Sequence, residues 1–92
     1  MSTVFVEHKV RDYDTWLTGY QADAPRREAI GITEAGHFHS GADRNTFIIV
    51  WKTSMSAADA KQMAGDMFNN PELEGLMEQA GVLEKPVFWV AD

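Results

Sequence analysis

Apolar residues in this chain follow two periods, and the order in which those periods alternate is the tightest constraint on its fold. Thr3–Val10 alternates, with Val4, Val6, His8 and Val10 on one side and Phe5, Glu7 and Lys9 on the other, as a half-buried strand does. Tyr13, Trp16, Leu17, Tyr20 and Ala24 then recur at helical spacing. Asp12 precedes them and suits the capping of a first helical turn. Pro25 has no amide proton, so the helix should kink or restart there, and Gly31 is placed to end it in a left-handed cap. Ile32–Ser40 reads as a second strand and the β-branched, aromatic Thr46–Thr53 as a third, joined into a hairpin by the turn residues Gly41–Asn45. Ser56 opens another helix, with Ala57, Ala60, Ala64, Met67 and Phe68 on its buried side. Asn70 and Pro71 break that helix and start the next, whose Leu73, Leu76, Met77 and Ala80 should face inward. Gly81 ends it, and Pro86–Ala91 is the last strand.

The order β-α-β-β-α-β specifies an α+β, ferredoxin-like arrangement: a four-stranded antiparallel sheet with its helices on one face. Ninety-two residues leave room for one domain, residues 1–92. The second sheet face is then uncovered, yet it still carries apolar and aromatic residues. A monomer should not leave such a face in water, and pairing two sheets face to face removes the problem, so a homodimer is expected.

Composition closes off much of chemistry. Without cysteine there are no disulfides, thiolate metal sites or cysteine nucleophiles. A net charge of −6 with scattered basic residues argues against nucleic acid and anionic membrane surfaces as partners. The longest apolar run, Phe47–Trp51, is far too short to span a bilayer, and the first residues lead into a strand without a secretory signal, so a cytoplasmic location is expected. There is no G-x-G-x-x-G, phosphate loop, G-x-S-x-G or H-E-x-x-H pattern, and neither a cofactor nor a metal is expected.

The histidines are the sharpest chemical feature. His37 and His39 lie two apart on one strand and so share a face. His8 should lie roughly 9–10 Å away across the sheet. Its parity with Val4 and Val6 places it under the helices, whereas Ile32 and Phe38 suit the helix side of their own strand and leave His37 and His39 on the open face. A five-residue hairpin loop sets His39 opposite Phe47, His37 opposite Ile49 and Ala35 opposite Trp51, which also puts Ile49 and Trp51 on the open face; a bulge would change this. His37 or His39 is therefore expected to act as an acid or base on that face, with Glu7 as a second base and Lys9 as an oxyanion-stabilising cation. Glu7 and Lys9 also suit an internal ion pair or a dimer contact. Trp51 and Trp89 would wall a planar ligand, with His8 and Tyr13 contributing contacts. Core packing explains the tryptophans equally well, and Tyr13, Trp16 and Tyr20 fit a simple helix stripe, with a phenol reaching the pocket as the alternative.

Local strings add a family likeness. His8-Lys9-Val10 before Asp12-Tyr13 and Trp16, Asp43 with Asn45, and Asn70-Pro71-Glu72-Leu73 before Met77 and Ala80-Gly81-Val82 together resemble the dimeric α/β-barrel proteins. That group includes antibiotic-biosynthesis monooxygenase-like domains, muconolactone isomerases and small polyketide cyclases. The resemblance implies a homodimer with a pocket between sheet and helices or within the barrel. It further implies a hydrophobic, aromatic or polyketide-like ligand handled by cofactor-free oxygenation, isomerisation or cyclisation. A non-catalytic ligand-binding or stress-related dimer, and a histidine-ligated metal or haem protein, fit the same likeness.

Overall fold

Strand β1 (Ser2–Lys9) is the axis of the fold, because its alternating valines can be buried only if strands flank it and helices cover one of its faces. The computed structural model describes residues Met1–Asp92 and supplies both. Helices α1 (Tyr13–Ala22) and α2 (Ala24–Ala29) lead to β2 (Ile32–His39) and β3 (Thr46–Thr53). Helices α3 (Ala57–Phe68) and α4 (Pro71–Gln79) then lead to β4 (Val87–Ala91). The four strands form one antiparallel sheet in the order β2-β3-β1-β4. This is the expected ferredoxin-like α+β fold. No helix is long and apolar enough to cross a membrane.

Helix starts follow the side chains that can receive free amides. Asp12 accepts from Thr15 N, Ser56 from Asp59 N and Asn70 from Glu72 N. Asn45 fastens the hairpin loop to the start of α1, accepting from Tyr13 N at 2.8 Å while Val10 N donates to its carbonyl at 2.9 Å. Gly31 and Gly81 both take positive φ, 84° and 89°, and each turns the chain out of a helix. An added Cβ at Gly81 meets only ordinary contacts, so Gly81→Ala isolates the backbone penalty. It should cost about 1–2 kcal/mol in urea unfolding.

Register decides what is buried. Val4 pairs with Trp51, Val6 with Ile49 and His8 with Phe47, so all six side chains lie under the helices. Val4, Val6, Ile49 and Phe47 are fully buried, each contributing roughly 1.5–3 kcal/mol relative to exposure. Ala60, Ala64, Met67 and Phe68 of α3 close over them. Leu76, expected inward, is 58% exposed, because α4 sits at the rim and buries Leu73 and Met77 only in part.

Strand β2 departs from the expected parity. Glu34, not Ala35, lies opposite Trp51, and Gly36 pairs with the next residue of β3, Val50. Ala35 is thus the extra residue of a β-bulge. The ring of Phe38 lies over Gly36, where an added Cβ would come within 2.6 Å of it. Beyond the bulge, His37 and His39 do pair with Ile49 and Phe47, but on the helix side of the sheet. The expectation of an open face for His37, His39, Ile49 and Trp51 is corrected accordingly. Phe38 moves to the open side in exchange. There it joins Phe5, Ile48, Val50, Val87 and Trp89, with Phe38, Val87 and Trp89 all more than 60% exposed.

Candidate functional site

Covering a twisted sheet with four short helices leaves a gap where the helices diverge, and here it forms a cavity of about 290 Å³. Trp16 and Tyr20 of α1 wall one side, and Met67 and Phe68 of α3 with Leu73 and Met77 of α4 wall the other. The sheet contributes Trp51 and His8. Such a lining, apolar with a few convergent polar groups, suits a small and mostly hydrophobic molecule.

His8 is only 4% exposed, and its ring lies 5.2 Å from Trp16 and 5.6 Å from Phe47. Its Nδ1 is enclosed without a hydrogen-bond partner. Burial, assisted by His37 nearby, lowers its pKa from 6.5 to about 4, so the ring is neutral at ordinary pH. Tyr20 stacks on Trp16 at 4.7 Å, and the Arg27 guanidinium lies over the Tyr20 ring at 3.6 Å. The Tyr20 hydroxyl accepts from Trp51 Nε1 at 3.0 Å and donates to Glu34 Oε1 at 2.7 Å. Burial above all pushes this phenol up to about 12. At the rim Arg26 Nε donates to both carboxylate oxygens of Asp23, at 3.0 and 2.9 Å.

The other expected site residues scatter. His37 and His39 lie on the cavity's face of the sheet but outside its lining, packed edge-on against Tyr13 at 5.4 and 4.3 Å. His37 Nδ1 is 3.3 Å from Glu34 Oε1, and His39 Nδ1 donates to the Arg44 carbonyl at 2.8 Å. Tyr13 is itself buried in this aromatic cluster, under the Arg44 guanidinium at 4.9 Å, and does not line the cavity. Glu7 and Lys9 project from the opposite face, so the sheet separates them from every histidine; Lys9 Nζ lies 3.9 Å from Glu84. Trp89 also lies there, 5.5 Å from Phe5, and cannot share a wall with Trp51. No three His, Cys, Asp or Glu side chains gather as metal ligands.

Sequence reasoning missed Glu34 outright and read Tyr20 first as a stripe residue, with a phenol in the pocket only as the alternative; Tyr20 does line the cavity. The available signal was Gly36, since an isolated glycine within a strand pattern marks a bulge. The bulge at Ala35, between Glu34 and Gly36, turns His37 and His39 to the face that Glu34 already occupies.

No family model and no curated protein matches the sequence. Solved structures do. An antibiotic biosynthesis monooxygenase is similar over 100% of this chain and 97% of its own, at 13% identity and a TM-score of 0.64. A NIPSNAP-like domain protein from Burkholderia xenovorans is similar over 99% of this chain and 83% of its own, at 12% identity and a TM-score of 0.64. A NIPSNAP family protein from Agrobacterium tumefaciens follows, over 99% and 90%, at 11% identity and a TM-score of 0.63. The chain has their ferredoxin-like fold. At these identities the likeness concerns the fold, and chemistry must be argued from the cavity itself.

Proposed function

We propose that this protein is a homodimer that binds a hydrophobic, aromatic or polyketide-like small molecule in the cavity between sheet and helices. It acts on that molecule without a cofactor, through proton transfer in an isomerisation, cyclisation or oxygenation. The carrying observation is the cavity: two indoles, a phenol and a neutral, unpartnered imidazole converge in an apolar space of about 290 Å³. That is near the lower end for small-molecule sites, so it suits a ligand of a few rings. Titration with 2-naphthol should quench Trp16 and Trp51 in the wild-type protein, and Ala80→Phe, which puts a ring into the cavity, should abolish the quenching. Equal quenching in both proteins would remove the cavity from consideration. A cytoplasmic location belongs to the same proposal.

The dimer part of the proposal rests on the open sheet face, where Trp89 and Phe38 are 65% and 62% exposed. A standard interface of roughly 800 Å² per partner would cover them. Light scattering at micromolar concentration should return twice the chain's 10.3 kDa. Trp89→Glu combined with Phe38→Glu should return the monomer mass with unchanged circular dichroism. A wild-type monomer, or a double variant that stays dimeric, would refute this interface.

A further inference from the structure

A chain of hydrogen bonds leaves the cavity and ends at the protein surface. Trp51 Nε1 donates to the Tyr20 hydroxyl, which donates to Glu34 Oε1, and the same carboxylate oxygen lies 3.3 Å from His37 Nδ1. Tyr20 and Trp51 line the cavity, whereas Glu34 and His37 do not. The Glu34 side chain is 38% exposed and meets bulk water. Residues i and i+3 of a regular strand point to opposite faces; the bulge at Ala35 brings Glu34 and His37 together.

From this geometry we infer that Tyr20, Glu34 and His37 form a proton relay between the cavity and solvent, with Tyr20 as the group that touches the bound molecule. The inference rests on the cavity being the ligand site. A phenolic oxygen has two lone pairs; Trp51 occupies one, and the other is free to receive a hydrogen from a hydroxyl of the ligand. In the transfer the ligand O–H bond breaks and a new O–H bond forms at Tyr20. At the same moment the original Tyr20 proton passes to Glu34 Oε1, turning the carboxylate into a carboxylic acid and leaving the ligand as an oxyanion. No electrons change hands and no free tyrosinate forms. Glu34 then returns its proton to water.

His37 is a positioning residue in this scheme. An unprotonated Nδ1 would set its lone pair against the carboxylate, so the proton is assigned to Nδ1 and holds Glu34 in line with Tyr20. Its Nε2 is then an acceptor, enclosed and without a partner. That ring orientation serves the carboxylate rather than its own hydrogen bonding.

2-Naphthol tests the relay directly, because it becomes a strong acid when excited and its anion emits to the red of the neutral form. At protein excess, with excitation beyond tryptophan absorption, wild-type protein should show strong naphtholate emission that weakens in heavy water. Tyr20→Phe and Glu34→Gln should each lower the anion-to-neutral ratio by about tenfold or more. Glu34→Gln is nearly isosteric and its amide oxygen still accepts from Tyr20, so fold and binding should persist while proton acceptance is lost. His37→Leu should lower the ratio partially and leave quenching of Trp51 unchanged. Unaltered anion emission in either Tyr20→Phe or Glu34→Gln, with naphthol bound, would overturn the relay and leave the cavity reading standing. If 2-naphthol fails to quench the wild-type tryptophans, or Ala80→Phe does not stop the quenching, the cavity reading falls and takes the relay with it.

Discussion

His8→Phe should stabilise the protein, and the gain should widen as the pH falls from about 6.5 to 4. The unfolded chain protonates His8 near 6.5, whereas the folded protein keeps the ring neutral down to about 4 because burial opposes the charge. Between those values the unfolded state binds more protons, so wild-type stability falls as the pH is lowered. Above 6.5 both states are neutral and the full stability is present; below 4 both are charged and this group removes nothing more. The loss across the window is on the order of 3 kcal/mol. Phenylalanine cannot titrate, fits among Trp16 and Phe47, and also removes the enclosed, unpartnered Nδ1, which should add about 1 kcal/mol at neutral pH. Urea unfolding of both proteins at pH 7.5 and 4.5 measures the difference. Equal gains at the two pH values would mean that His8 is not the titrating group. The wild-type histidine therefore costs stability at every pH in this range.

Periodicity and caps carried most of the architecture. Asp12, Ser56 and Asn70 each cap the helix they precede, Pro25 marks the restart at α2, and Gly31 and Gly81 take the positive φ that their positions demand. These are local effects, decided by a few neighbouring residues. The face of His37 and His39 is not local. It depends on one unpaired residue, Ala35, whose bulge reverses the parity of everything after it in β2 while leaving the pairing partners of the two histidines unchanged. The hairpin register could thus be read correctly from loop length while the face came out inverted. Glu7 and Lys9 failed as partners of the pair for that same reason, since β1 has no bulge and keeps them on the open side. The Glu34–Tyr20 contact was out of reach altogether, because a distance between a helix and an edge strand has no periodic trace in the sequence.

Phe47→Ala should cause a large loss of stability, because it empties the centre of the core. Phe47 is 1% exposed, and its ring centroid lies 4.6 Å from Trp16, 5.2 Å from Tyr13, 5.3 Å from His37 and 5.6 Å from His8. It sits on β3 between the strand of His8 and the strand of His37, so it joins the cavity side of the core to the histidine cluster. Truncating a buried phenylalanine costs about 3–5 kcal/mol. A chain of this length has a total of roughly 5–14 kcal/mol. The midpoint of thermal unfolding should fall by roughly 12–40 °C, on a scale of about 4–8 °C per kcal/mol for a domain of this size. Phe47→Leu keeps much of the volume and should cost only about 1–2 kcal/mol, which leaves a folded protein for comparison if the alanine variant is unfolded. The same substitutions test the origin of the His8 shift. With the ring gone, His8 is less desolvated, and NMR titration of Phe47→Leu should find its pKa raised from about 4 toward 6.5. A His8 that titrates as in wild type would show that Trp16 and the cavity wall, rather than Phe47, hold the imidazole neutral.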